Sequence, residues 1–383
     1  MCSWAGQWTQ QAALGWVVYE ITGSGALLGA VIGVRAIPMV LLTPLSGVAA
    51  DRYDRQRLLQ VSQALAAAVS LALGAALALG IATTPMLFAF TLLMGASNVM
   101  DRPARFTTAF ELVPRPIAVK AVALNTIGFS IMRVLGPAAA GYLIATFGAA
   151  GSFFIQGTLY AASGFMALLV LFPKRQPAPK RSALADMREG LGFAMRDPAT
   201  RLLLVLGGLP FFLLIPVFGT LYPIYAKDVF AEGPKGLGLL LTAVGAGGLL
   251  GGFLANALAH VERQALMQAA WALLMAAAIL AIAASPTLAL AMVFSFVGGM
   301  AEMAHSSSNL AMLQMAAPET MRGRIASLSM LYPALISLGG LCAGVMSDFM
   351  GPRGASAALA CAAIVAVGAL YFLFPNLKEL KLK

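Results

Sequence analysis

Gly47-Val48-Ala49-Ala50-Asp51-Arg52-Tyr53-Asp54-Arg55-Gln56-Arg57 is a short charged turn set between two long apolar runs, 24–50 and 58–81. Each run is longer than the roughly 20 residues that a helix needs to cross a bilayer. The same pattern repeats outward in both directions. Further apolar runs, bounded by charges, Pro or Gly, cover 1–20, 84–112, 117–147, 150–172, 200–226, 236–259, 264–285, 286–314, 319–348 and 353–375. The sequence therefore predicts an all-α membrane protein with twelve transmembrane helices.

Composition agrees. Of the 383 residues, 60% are hydrophobic and only 10% charged, against roughly 25% charged in a soluble domain. Lipid, not a polar shell, must solvate that much apolar surface. Twelve spans leave no room for a large soluble domain. The first run starts almost at Met1, and no Lys or Arg precedes Arg35. A cleavable signal peptide would need a basic first region, so a truncated or misassigned start is the alternative expectation. Cys2, Cys342 and Cys361 lie in apolar stretches and read as small buried hydrophobes.

The net charge of +10 sits in the short loops. That distribution points to the bilayer as partner, not to nucleic acid. With the N-terminus placed in the cytoplasm, twenty of the 25 Lys and Arg residues fall on the inner side. Only Lys227, Lys235 and Arg353 fall outside, while Arg35 and Arg133 lie within runs. The positive-inside rule then predicts a multi-pass protein of the cell inner membrane with both termini cytoplasmic.

Residues 173–199 form a linker between the halves. It opens with Pro173-Lys174-Arg175-Gln176-Pro177 and continues with Leu184, Met187, Leu191 and Met195 on one helical face. An amphipathic helix lying along the inner surface is expected there. The expected organisation is a six-helix bundle over 1–172, the linker, a second six-helix bundle over 200–375, and a cytoplasmic tail at 376–383.

The halves repeat. Asp54-Arg55-Gln56-Arg57 aligns with Glu262-Arg263-Gln264-Ala265 at an offset of 208, and Gly95, Pro114, Leu124 and Gly136 align with Gly299, Pro318, Leu328 and Gly340 at 204. Internal symmetry of this kind is common in secondary transporters and puts a substrate route between the halves.

The charged turn resembles the signature of the major facilitator superfamily, Gly-x-x-x-Asp-Arg-x-Gly-Arg-Lys/Arg, carried here by Gly47, Asp51, Arg52, Arg55 and Arg57. Asp54 and Gln56 depart from it. The Asp-Arg-x-Asp-Arg form resembles the branch containing the enterobactin exporter and macrolide efflux proteins. So do Asp101-Arg102-Pro103-Ala104-Arg105 and Glu111-Leu112-Val113-Pro114. Asn125, followed by Arg133-Val134-Leu135-Gly136-Pro137 and Gly141, resembles that branch's helix 5 antiporter motif, with Ala140 in place of a usual Gly. The resemblance implies two pseudo-symmetric six-helix bundles, alternating access and export. It also implies an inner-gate latch that includes Asp51.

Charges inside the runs are the other signal, because a charge at mid-bilayer costs about 2.5–3.5 kcal/mol on insertion scales. Arg35 and Arg133 lie mid-run. Glu302 and His305 share a face three residues apart, extended by Ser306 and Asn309. The offset of 204 pairs Asn98 with Glu302 and Asp101 with His305. Glu302, His305 and Asp101 are the proton-coupling candidates. Pairing of Glu302 with an Arg, a backbone hydrogen bond at His305 and a salt bridge from Asp101 to Arg105 are the bland alternatives. Arg35, Arg133, Asn125, Gln7, Gln11 and Asn309 are the substrate-cavity candidates. Trp4, Trp8, Trp16 and Gln10 make the first run aromatic and polar, for substrate contact or interface anchoring. The tract Gly245-Ala246-Gly247-Gly248-Leu249-Leu250-Gly251-Gly252 permits close helix approach, and Pro210, Pro216 and Pro223 should bend the seventh run.

No His/Cys ligand spacing, Ser-His-Asp pattern or phosphate-binding loop is present in the sequence. An enzyme, a metal and a cofactor are therefore not expected. The favoured reading is a monomeric secondary transporter that exports a hydrophobic or amphipathic small molecule, drug-like or a siderophore, in exchange for protons. A nutrient symporter and a non-transporting sensor or scaffold of the same fold are the alternatives.

Overall fold

The computed structural model describes residues 1–43, 54–111, 113–114, 117–170, 183–261 and 263–374. Side chains are described throughout these except at 102–104, 106–111, 119 and 183–186. Each of the twelve predicted runs carries helix. In the first half these are α1 (Cys2–Thr22), α2 (Gly25–Thr43), α3 (Arg55–Ala78), α4 (Thr84–Glu111), α5 (118–147) and α6 (149–169). The linker holds α7 (Ala183–Arg196). The second half holds α8 (Pro198–Val229), α9 (Gly233–Ala257), α10 (Gln264–Ala284), α11 (Leu288–Ala316), α12 (322–350) and α13 (352–373).

Two reversals need a glycine. Helix runs almost unbroken through Ala118–Leu169 and through Tyr332–Leu373, yet Gly148 (φ 71°) and Gly351 (φ 73°) turn the chain back inside each. A side chain is strained in that left-handed region, so one residue makes each hairpin.

Prolines shape the remaining irregularities. Pro38 cannot donate to the Val34 carbonyl, and α2 opens into a turn at Val34–Arg35. Pro333 does the same to α12 at Met330–Leu331. In α8, π turns at Val217–Leu221 and Tyr225–Val229 follow Pro216 and Pro223. The wider turn absorbs the missing donor.

The start of α3 explains both departures in the charged turn. Asp54 is the N-cap, its carboxylate accepting the Gln56 N–H at 2.8 Å. The Gln56 amide donates to the Ala167 and Val170 carbonyls at the end of α6, at 2.9 and 3.2 Å. Its repeat mate Gln264 donates to the carbonyls of Leu258, Ala259 and Val261 after α9.

Small residues mark the closest helix contacts. A Cβ at Gly247, Gly251 or Gly299 would overlap the backbone of the facing helix in the α9–α11 pair. Between the halves, Gly25 and Gly29 of α2 meet Gly344 and Gly340 of α12, and Gly141 of α5 meets Gly238 of α9. Without a hydrophobic drive in lipid, such close approach is the main source of packing energy.

The linker helix has two distinct faces. It docks on the second half with Met187, Gly190 and Ala194 inward, and Arg324 of α12 reaches Glu189 at 2.6 Å. Leu191 and Met195, two of the four apolar residues expected to meet the membrane surface, face outward and stay exposed.

Candidate functional site

A cavity of about 360 Å³ lies between the halves. The chain ends of the helices orient it. The linker end is the one at which α1 begins and α7 lies; the far end carries the turns at Gly23, Gly80, Gly148 and Gly351.

Contacts close the far end. Asp348 of α12 sits on the N-terminus of α2, accepting the N–H groups of Gly25 and Ala26 at 2.6 and 3.0 Å and the Ser24 hydroxyl at 2.8 Å. The helix dipole favours a carboxylate there. The Tyr19 hydroxyl of α1 donates to Asp228 of α8, and the Lys227 ammonium lies 5.3 Å from the Tyr19 ring. Towards the linker end, Gln7, Gln11 and Met39 line the cavity, and Gln11 is exposed there.

At mid-depth, Arg133 of α5 and Glu302 of α11 form an ion pair at 2.8 Å, both side chains largely buried on the cavity wall. The Trp8 ring lies 5.8 Å from the guanidinium, and a second nitrogen approaches the Met303 sulfur at 3.9 Å. Gly248 leaves the room. A Cβ there would come within 3.3 Å of the guanidinium carbon.

The expected site residues separate into groups. Gln7, Gln11, Arg35, Arg133, Pro137 and Glu302 share the cavity lining. Asn125 stands behind it, accepting the Trp4 indole N–H at 3.3 Å and so holding an aromatic of α1. Gly136 packs on Trp8 and Gly141 on α9, which makes the helix 5 motif a set of contacts around the cavity.

His305 and Asn309 depart from the cavity placement. The His305 ring is buried between helices, with Nδ1 3.0 Å from the Gln268 carbonyl of α10. Asn309 donates to the Leu203 carbonyl of α8 at 2.9 Å. Asp101 is also off the lining. It is buried, bonded to Arg105 through both carboxylate oxygens, at 2.8 and 2.9 Å, and to the Gln63 amide at 2.8 Å. Of the gating motif, Gly47, Asp51 and Arg52 lie outside the described residues. Arg55 is buried at the start of α3, and Arg57 is exposed.

The sequence reading missed Phe211, Phe218, Thr220, Met303 and Ser337 on the lining. Pro216 was the available signal for Phe218 and Thr220, because the π turn beside it swings that stretch towards the cavity. Ser337 was legible as the repeat mate of Arg133 at the offset of 204.

Comparison with known proteins adds to this geometry. The sequence model of the family described as transmembrane secretion effector matches residues 1–382. The multidrug efflux pump Tap of Mycolicibacterium fortuitum is 27% identical over 99% of this chain and 94% of its own. The staphyloferrin A transporter of Staphylococcus aureus is 23% identical over 97% and 94%. Two solved structures share the fold. A bacterial homologue of the human lysosomal transporter Spinster, in an inward-facing and unoccupied conformation, has a TM-score of 0.78 at 15% identity, covering 98% of this chain and 95% of that one. The POT family transporter PepTSo also scores 0.78 at 15% identity, covering 99% and 97%.

Proposed function

The chain belongs to the transmembrane secretion effector family of major facilitator transporters, and from that membership we propose that it exports a hydrophobic or amphipathic small molecule in exchange for protons. The observation that carries the reading is a central cavity walled by both halves, held by contacts at one end and carrying the Arg133–Glu302 pair on its wall at mid-depth. A relative named as a multidrug efflux pump supports the direction, and a second named as the staphyloferrin A transporter supports a small-molecule cargo.

In this reading the linker end faces the cytoplasm, both termini lie there, and a monomer in the inner membrane does the work. Cargo enters from the linker end while Asp348 and Tyr19 hold the far end shut. The two bundles, 1–172 and 200–375, then rock about the cavity. The proton goes to Glu302, because its carboxylate lies on the lining, whereas Asp101 and His305 stand behind it. Protonation removes the Coulombic tie between α5 and α11, which is strong where water is scarce. The halves are then free to part at that level.

Two measurements test the proposal together. A deletion strain and an overexpressing strain are profiled against toxic compounds and siderophores, and the hits are followed in everted vesicles with an imposed pH gradient. Hypersensitivity on deletion and gradient-driven uptake into everted vesicles are the expected results. Binding of a hit without flux would overturn it in favour of a sensor, and flux in the opposite sense in favour of an uptake symporter.

A further inference from the structure

Resting on the export reading above, we infer that the cargo is an anionic amphiphile, its head on the wall built by the first half and its apolar body on the wall built by the second. Among the described lining residues, the carboxamides and both guanidinium groups come from the first half: Gln7, Gln10 and Gln11 from α1, Arg35 from α2 and Arg133 from α5. The first half mixes these groups with Trp8, Leu14, Ile32, Met39 and Phe129, whereas the second half is apolar over most of its wall, with Phe211, Ile215 and Phe218 from α8, Leu241 from α9 and Ile336 from α12. Its polar share is two hydroxyls, on Thr220 and Ser337, and the Glu302 carboxylate. A molecule with one polar end therefore has one favourable orientation across the cavity.

The sign of the head follows from Arg133. One of its terminal nitrogens is used by Glu302 at 2.8 Å, while the other faces the Met303 sulfur at 3.9 Å. A thioether is a weak acceptor. A guanidinium holds its donors in a planar fork suited to an oxyanion, so a carboxylate or sulfonate is a better partner for that nitrogen than sulfur. The neighbouring carboxamides can donate to the same head. A cationic head has the opposite problem. Its acid on the lining is Glu302, already held by Arg133, and approach brings it against that guanidinium. Membrane potential agrees with the assignment, because an inside-negative potential drives an anion outward.

The test uses the purified full chain in nanodiscs of neutral phosphatidylcholine and three probes that differ only in the head. These are 6-(dansylamino)hexanoate, its methyl ester, and the dansyl hexyl chain ending in trimethylammonium. Binding is read as energy transfer from tryptophan to dansyl. The carboxylate should bind at least tenfold tighter than the ester, and the ammonium weakest. Gln11→Glu should erase the preference for the carboxylate, while Phe218→Ala should weaken all three probes alike. Equal binding of the three by the unaltered chain, or an ammonium preference, overturns the inference and leaves export standing if vesicle flux persists. Carboxylate selectivity without flux in vesicles sustains the head assignment and sinks the export reading.

Discussion

Arg133 and Glu302, 169 positions apart in the chain, meet at 2.8 Å on the wall of the central cavity. Their pairing ties α5 of the first half to α11 of the second. Glu302→Gln keeps the shape and one hydrogen-bond acceptor while removing the charge and the proton site. Flux driven by a pH gradient in vesicles should fall to background at unchanged expression. Gradient-driven flux at the unaltered rate would remove Glu302 from the coupling.

Truncating one partner should be worse for stability than truncating both. Arg133→Ala strands a largely buried carboxylate, a change of about 3–5 kcal/mol when the charge stays in place. The double variant Arg133→Ala with Glu302→Ala should regain much of that loss. Thermal unfolding of the detergent-solubilised single and double variants gives the coupling, and strictly additive losses would mean the pair contributes no mutual stabilisation.

The far-end seal can be weakened without touching the cavity. Asp348 is exposed, so its contact with the α2 N-terminus is worth about 1 kcal/mol. Asp348→Ala should therefore shift the equilibrium towards an outward-open form by roughly fivefold. With Cys2, Cys342 and Cys361 replaced by Ser, Ile32→Cys on the lining reports the change. An impermeant maleimide added from outside should label it about fivefold faster in the Asp348→Ala background.

Helix packing sets a contrast between two glycines. Gly251 abuts the Met300 backbone, whereas nothing approaches within 4 Å of the position a Cβ would take on Gly368. Gly251→Val should destabilise by at least about 1–3 kcal/mol and reduce the yield of folded protein. Gly368→Ala should be neutral or stabilise by up to about 1 kcal/mol through helix propensity. Size-exclusion profiles and unfolding midpoints of the two variants check both outcomes.

Asn309 should behave as a brace. Asn309→Ala removes a second donor from the Leu203 carbonyl, which keeps its helical partner, a loss of about 0.5–1.5 kcal/mol. The unfolding midpoint should drop while the KM for cargo stays within twofold of the original. A large rise in KM with no change in stability would return Asn309 to the cavity.

Much of the fold was legible in the sequence, because a membrane crossing must be long, apolar and helical. The runs ending at 147 and 348 and resuming at 150 and 353 already bracket Gly148 and Gly351. The Gly245–Gly252 tract announced a close contact, whereas nothing in the repeat of Gln56 and Gln264 told that they bond the ends of two different helices, α6 and α9. Side-chain direction was harder to read. In lipid a large apolar residue has no reason to face inward: Leu191 and Met195 of the apolar stripe stay exposed, while Gly190 and Ala194 make the contact with the second half. Glu302, His305 and Asn309 illustrate a second limit. His305 is turned about 60° from Glu302 around the helix, enough to leave the cavity for α10. Asn309 returns to the same side about 10 Å further along, where α8 covers it. Only the tertiary crossing of α8 decides that, and no local spacing encodes it.

The hairpins at Gly148 and Gly351 carry a practical corollary. Two of the reversals on that surface use a single left-handed residue each, leaving scarcely any free polypeptide between helices. A protease or antibody approaching from that side has little to grip. Epitopes, cleavage sites and affinity handles therefore belong on the opposite surface, where the long connection between the repeats already tolerates length.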